Sequence, residues 1–209
     1  MMKEADVAVG GVDVSRETLI ALKTYEELVR RWNPAINLVS NSTLDNFWTR
    51  HIADSAQVFR ICRQPGASWV DLGSGGGCPG LVVAILAQDL RPELHVTLVE
   101  SDLRKATFLR QAVQALGLRA TVRSERIEAL QPLKADIVSA RALAPLSELL
   151  GYAGTHLQSG GVAIFPKGAR YEEELSQAQE AWDFDFEVHP SASDKAAAIL
   201  VIRNIHRHV

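Results

Sequence analysis

The segment Val70-Asp71-Leu72-Gly73-Ser74-Gly75-Gly76-Gly77-Cys78-Pro79-Gly80 sets a carboxylate beside a run of glycines. Glycine has no Cβ, so such a loop lets a ligand approach the backbone. A helix starting behind it aims unpaired N–H groups at the same point. The natural occupant is nucleotide-like and lies at the carboxyl ends of strands. Glu100 stands 100 − 80 = 20 residues beyond Gly80, the spacing at which an acid meets a ribose.

Two chemistries share this pattern. Gly75-x-Gly77-x-x-Gly80 with Glu100 satisfies a dinucleotide site and hydride transfer, an NAD-dependent oxidoreductase. Asp71 with Gly73-x-Gly75-x-Gly77 instead matches the acid-x-Gly-x-Gly-x-Gly loop of S-adenosylmethionine-dependent methyltransferases. There Asp71 attracts the ammonium of the methionine moiety, and Glu100 accepts hydrogen bonds from both ribose hydroxyls. The second reading is favoured because a pyrophosphate would meet the negative charge of Asp71. Pro79 stiffening the helix start and two closing strands with no helix between them point the same way. A tight glycine turn without a ligand is the bland alternative.

A methyl group moves by in-line attack on the sulfonium carbon, so the enzyme mainly positions two partners. Exocyclic base amines usually meet an Asn/Asp-Pro-Pro-aromatic loop after the fourth sheet strand, and the chain has no Pro-Pro pair. Pyrimidine carbon-5 requires a cysteine nucleophile, but Cys62 and Cys78 both precede that strand. Ser139-Ala140-Arg141-Ala142-Leu143-Ala144-Pro145 follows it instead. Arg141 can orient an anionic or carbonyl-bearing acceptor bidentately, and guanine offers O6 and N7 as paired acceptors. The N7 lone pair needs no general base. A structural salt bridge accounts for Arg141 equally well.

The elements that must position these residues follow from periodicity. Residues 1–14 read as a loose lead-in. Leu19, Leu22, Tyr25, Leu28, Val29 and Trp32 predict an amphipathic helix from Ser15 that Pro34 stops. A second helix is expected after Ser42, with Asp45 completing a near capping box and Phe47, Ile52 and Val58 facing inward. Beyond Pro65-Gly66, strands at 68–71, 95–100, 120–123, 136–139 and 161–165 alternate with helices at 81–88, 103–116, 146–153 and 171–182. Strands at 184–189 and 197–203 close the chain as an antiparallel hairpin. The expected fold is α/β: a Rossmann-like class I methyltransferase with a mainly parallel seven-stranded sheet. The organisation reads as a helical extension over 1–64 and a catalytic unit over 65–209.

With 209 residues, 47% hydrophobic and 22% charged, the chain is of ordinary globular composition, and its net charge of −3 gives no overall nucleic-acid signature. Two cysteines without a CxxC pair and scattered histidines argue against disulfides and a metal site. The start Met1-Met2-Lys3-Glu4 opens no signal-peptide core, and no apolar run is long enough for a membrane helix. We therefore expect a soluble cytoplasmic protein, and a monomer because no heptad is sustained.

Further motifs converge on a family. Trp32-Asn33-Pro34-Ala35-Ile36-Asn37-Leu38 and Arg50-His51-Ile52-Ala53-Asp54-Ser55 precede the glycine loop; Ser139-Ala140-Arg141-Ala142 and Phe165-Pro166-Lys167-Gly168 follow it. In this order they resemble the bacterial small-subunit ribosomal RNA guanine-N7 methyltransferases, historically called glucose-inhibited division protein B, from about Tyr25 to Arg203. The resemblance implies S-adenosylmethionine contacts at Gly73, Gly75, Cys78, Glu100, Ile127, Glu128 and Arg141. It places Asn37, His51, Asp54, Arg141 and Lys167 near an acceptor guanine in a loop of 16S rRNA. This family often has a larger apolar residue at the Cys78 position. Taken alone, His51 and Asp54 could simply pair along a helix, and Lys167 could flank a turn or bind a phosphate. Arg30-Arg31, Arg50, Arg60, Arg63, Arg203 and Arg207 are the local positive charge expected to meet RNA phosphates. A small-molecule methyltransferase and a non-catalytic cofactor-binding regulator are the other readings.

Overall fold

Gly10-Gly11 is a two-residue turn flanked by valines, and in the computed structural model, which describes residues 7–62 and 64–208, it closes a hairpin of β1 (Val7–Val9) and β2 (Val12–Val14). Both glycines have positive φ, as a tight hairpin requires. This corrects the loose lead-in expected for residues 7–14; residues 1–6 lie outside the described chain. Val9, Val12 and Val14 are buried.

Helix α1 (Arg16–Ile36) starts on Ser15, whose Oγ accepts the Thr18 N–H at 3.2 Å. It runs through Pro34 and does not stop there. Pro34 falls in the last turn, where forgoing one backbone bond is tolerable. The Asn37 N–H still reaches Asn33 O at 2.9 Å, and the buried Asn33 Oδ1 accepts the Val39 N–H at 2.9 Å. The helix ends at Asn37 in left-handed backbone, φ 52°. The expected second helix is broken into α2 (Asn41–Leu44), a π-helical turn (Trp48–Ala53) and α3 (Asp54–Ile61).

Beyond these lie β3 (Ser68–Leu72), α4 (Gly80–Leu90), β4 (His95–Val99), α5 (Leu103–Ala115) and β5 (Ala120–Arg123). A 3₁₀ turn (Ile127–Ala129), β6 (Ala135–Ala140), α6 (Leu146–His156) and β7 (Leu157–Lys167) follow. The chain ends with α7 (Tyr171–Gln179), β8 (Trp182–Pro190) and β9 (Ala198–Arg207). The strands form one seven-stranded sheet in the order β5-β4-β3-β6-β7-β9-β8. The first five strands of that order pair in parallel, while β9 runs antiparallel to both β7 and β8. The expected mainly parallel sheet with a closing hairpin is what forms.

Alternation along each strand sends side chains to two faces, both covered. Trp69, Val96, Leu98, Ile137 and Ile164 pack with Leu22, Tyr25 and Val29 of α1 and with Leu81 and Ile85 of α4. Val70, Leu72, Val138 and Phe165 pack on the other face with Leu146, Leu149 and Leu150 of α6. The N-terminal helices therefore share one buried cluster with the sheet, which brings the π turn to the strands' carboxyl ends.

Candidate active site

A cavity of about 1210 Å³ lies at the carboxyl ends of the strands. Its floor is the glycine loop between β3 and α4, where Gly73 and Gly75 have φ of 65° and 53°. The loop is folded back onto the sheet by the Ser74 N–H donating to Val99 O and Ser74 Oγ donating to Asp71 O, both at 2.9 Å. Glu100, just past β4, accepts the Gly75 N–H through Oε2 at 2.9 Å and the Asp102 N–H through Oε1 at 2.8 Å. A Cβ added at Gly75 would meet nothing nearer than Gly73 O at 3.7 Å and would stand in the open cavity. That bare backbone beside a carboxylate with lone pairs to spare fits the adenosyl half of S-adenosylmethionine. Ile127, Glu128 and Cys78 line the same space.

Asp71 and Gly77 are placed differently. The Asp71 carboxylate is 1% exposed and lies beneath the loop, not on the cavity wall. Its Oδ1 accepts from Ser139 Oγ at 2.7 Å and its Oδ2 from the Gly80 N–H at 3.2 Å. Trp69 Nε1 donates in turn to Ser139 Oγ at 2.8 Å. Burial pushes the Asp71 pKa up to about 6, against the pull of its hydrogen bonds. The carboxylate thus pins the start of α4 to β6, where a direct contact with a cofactor ammonium was expected. Gly77 also serves the loop's own packing, since a Cβ there would strike Leu81 Cδ1 at 2.4 Å. Cys78 is reached from below. Tyr25 Oη donates its only proton to Gly76 O at 2.7 Å, so the thiol 3.1 Å away is the donor to Oη.

The opposite wall comes from the π turn and α3. Arg141 Nη2 donates to His51 Nδ1 at 2.5 Å and Nη1 donates to Arg50 O at 3.2 Å. Burial, then Arg141 and Arg50, lower the His51 pKa to about 3, so the ring is neutral. With Nδ1 accepting, its proton sits on Nε2. Asp54 Oδ2 accepts from Ser193 Oγ at 2.7 Å. The two residues do not pair with each other: His51 Nε2 and Asp54 Oδ1 are both buried and without a hydrogen-bond partner among the described residues. Arg141 makes no ion pair among the described residues, so it acts as a strut between the post-β6 loop and the π turn. Lys167 lines the cavity but pairs with Glu174 at 2.5 Å. Asn37 is exposed at the end of α1 and is not on the cavity wall.

Arg50 borders the cavity and contacts Asp194 at 3.6 Å, whereas Arg30 pairs with Glu26 and Arg203 with Glu187. Arg63 lies outside the described residues. Lys105, Arg126 and Arg170 also line the cavity and were missed by reading charge runs along the sequence, because the fold gathers them from three elements. Tyr25, Ser139 and Glu174 were likewise missed. Tyr25 reads as one more apolar position of α1, and nothing in the local sequence reports its hydroxyl contact 51 residues away.

A family model described as rRNA small subunit methyltransferase G matches residues 18–203. A relative of that name from Cereibacter sphaeroides is 49% identical over 203 residues, covering 97% of this chain and 98% of its own length. Another, from Ruegeria pomeroyi, is 52% identical over 196 residues, covering 94% and 96%. Among solved structures, a methyltransferase from Geobacter sulfurreducens superposes with a TM-score of 0.62 at 16% identity, over 93% of this chain and 94% of that one. A ribosomal protein L11 methylase from Lactobacillus delbrueckii subsp. bulgaricus gives 0.58 at 16% identity, over 75% and 79%. These distant likenesses concern the fold.

Proposed function

The chain belongs to the rRNA small subunit methyltransferase G family, and on that premise we propose that it transfers a methyl group from S-adenosylmethionine to N7 of a guanine in a loop of 16S rRNA. One observation carries the reading. A single cavity joins the Gly75–Glu100 backbone cradle to the wall of Arg141, His51 and Asp54. Family membership selects methyl transfer over the hydride-transfer reading of the glycine loop.

Bound in the cradle, S-adenosylmethionine supplies an electrophilic methyl on a sulfonium. Glu100 keeps lone pairs for the ribose hydroxyls while its backbone partners fix its orientation. Arg141, tied to the π turn, sets the distance between the two halves of the cavity. Guanine N7 attacks with its own lone pair, so no residue must remove a proton. The neutral His51 suits such a wall, because it adds no positive charge beside the cationic methyl donor.

The target base is expected to be splayed out of an RNA loop to enter the cavity. Residues 1–64 serve as the acceptor-side extension of the catalytic unit over 65–209, acting as a monomer in the cytoplasm. No helix among the described residues is long and apolar enough to cross a membrane.

The deciding experiment is transfer of labelled methyl to 16S rRNA, free and within the small subunit, with the modified base identified. Label in 7-methylguanine supports the reading. Label in another base overturns the N7 assignment, and no label on either RNA overturns the substrate.

A further inference from the structure

The Lys167–Glu174 ion pair does more than neutralise two charges. Lys167, at the end of β7, also donates to Ala144 O at 3.2 Å, and its side chain is only 9% exposed. Glu174, on α7, also accepts the Leu146 N–H through Oε2 at 2.8 Å. Two side chains from separate elements therefore grip residues 144 and 146 of the segment joining β6 to α6. That N–H is the first of α6, whose N-cap is Pro145 and has no capping side chain. An unpaired N–H at a helix start favours an anionic acceptor, and Glu174 supplies one from another helix.

The gripped segment touches both halves of the cavity. Arg141 reaches His51 Nδ1 and Arg50 O on the acceptor wall. Ala142 holds a left-handed φ of 51°, a conformation a non-glycine residue keeps only where its surroundings impose it. Leu143 lies against the glycine loop so closely that a Cβ on Gly73 would meet its Cδ1 at 2.6 Å. Any slack at residues 144–146 is therefore passed to the cofactor loop through Leu143 and to His51 through Arg141.

We propose that Glu174 is a positioning residue for methyl transfer and that Lys167 acts through it, the pair clasping residues 141–146 so that Arg141 and Leu143 stand correctly on either side of the cavity. The proposal rests on the methyl-transfer reading of the site and departs from it in one respect: Lys167 does its work in the wall, not on the acceptor base.

The test is a double-variant cycle of Lys167→Ala and Glu174→Ala, with Glu174→Gln as the conservative variant. It is read in kcat and KM for rRNA methylation, in S-adenosylhomocysteine Kd and in amide exchange at Leu146. Each single variant is expected to lower kcat by about 10²-fold, the scale of a ~1 Å misplacement, with KM for RNA within about threefold. The double variant should be no worse than the poorer single one by more than about threefold, since the two act as one unit. Leu146 exchange should quicken about tenfold or more in Glu174→Ala. Glu174→Gln, which can still accept that N–H, should keep the protection and recover part of kcat. Losses that multiply in the double variant, with Lys167→Ala much the poorer single, would overturn the proposal in favour of a lysine on the acceptor. Wild-type kcat in Glu174→Ala would overturn it outright. If the wild-type protein methylated no rRNA, the functional reading would fall while the clasp was still decided. Faster Leu146 exchange with weaker S-adenosylhomocysteine binding would support it, and no change in either would overturn it. Should Glu174→Ala not fold, Glu174→Leu and Lys167→Met, which cannot make the ion pair or accept the Leu146 N–H, carry the same comparison with Glu174→Gln kept as the conservative variant.

Discussion

Arg141 joins two walls of the cavity and also places its charge beside His51. Two of its donors are committed to His51 Nδ1 and Arg50 O, so truncation releases the π turn from the post-β6 loop. Arg141→Ala is expected to lower kcat by about 10²-fold while the thermal midpoint moves only a few degrees, checked by methylation kinetics beside calorimetry. His51 makes a second expectation possible. Its pKa falls to about 3 on folding from an ordinary value of 6.5, chiefly through burial. The unfolded chain therefore takes up the proton first. The stability this group contributes is present above pH 6.5 and is lost as pH falls toward 3, by up to about 1.4 kcal/mol per pH unit. Asp71, whose pKa is raised to about 6, works in the opposite direction between its ordinary value and that figure. The comparison must therefore be made between proteins. From pH 7.5 to 5.5, wild type should lose about 1 kcal/mol more than His51→Gln in urea unfolding.

At the scale of elements, the glycines of one loop separate into two kinds. A Cβ at Gly75 projects into the cavity and meets no side chain, whereas at Gly77, with φ 98°, it strikes Leu81. Gly75→Ala should weaken S-adenosylhomocysteine binding about tenfold with a stability loss of roughly 1–2 kcal/mol from the left-handed backbone. Gly77→Ala should cost stability beyond that and reach binding only through unfolding, as calorimetric titration and denaturation would separate. The glycine pattern and Glu100 were legible because they are local: the ligand needs bare backbone and an acid at set distances along the chain. The strand–helix alternation was legible for the same reason. Pro34 misled because a proline in a last turn forfeits one bond without ending a helix. The π turn was missed because its one mark, the five-residue step between the buried Phe47 and Ile52, is too short a signal to set against the helical spacing on either side. The hydrogen bond that holds Asp71 comes from Ser139, 68 residues away on a neighbouring strand. No spacing rule within one segment could report that contact.

For the whole molecule, charge is better described by where it gathers than by its sum. The net charge is −3, and both signs meet at the cavity: Arg50, Lys105, Arg126 and Arg170 stand on its wall among acids that include Glu100, Glu125, Glu128, Glu148 and Glu173. If the basic residues meet RNA phosphates, Arg126→Ala should raise KM for rRNA and reduce the slope of log KM against log salt by about 0.7–0.9, as kinetics over a salt series would show. A salt slope identical to wild type would remove Arg126 from the RNA path. The buried hydroxyl of Tyr25 carries a different consequence. Its proton is held by Gly76 O, so α1 is fastened to the floor of the cofactor cradle. Filling the cradle should then slow amide exchange along residues 16–36, on the far side of the loop from the cavity. Thermodynamic reciprocity would make such a coupling two-way: a ligand on α1 whose affinity rises when the cradle is filled must raise cofactor affinity by the same factor. Exchange along residues 16–36 that is the same with the cradle filled and empty would leave the Tyr25–Gly76 hydrogen bond a static brace.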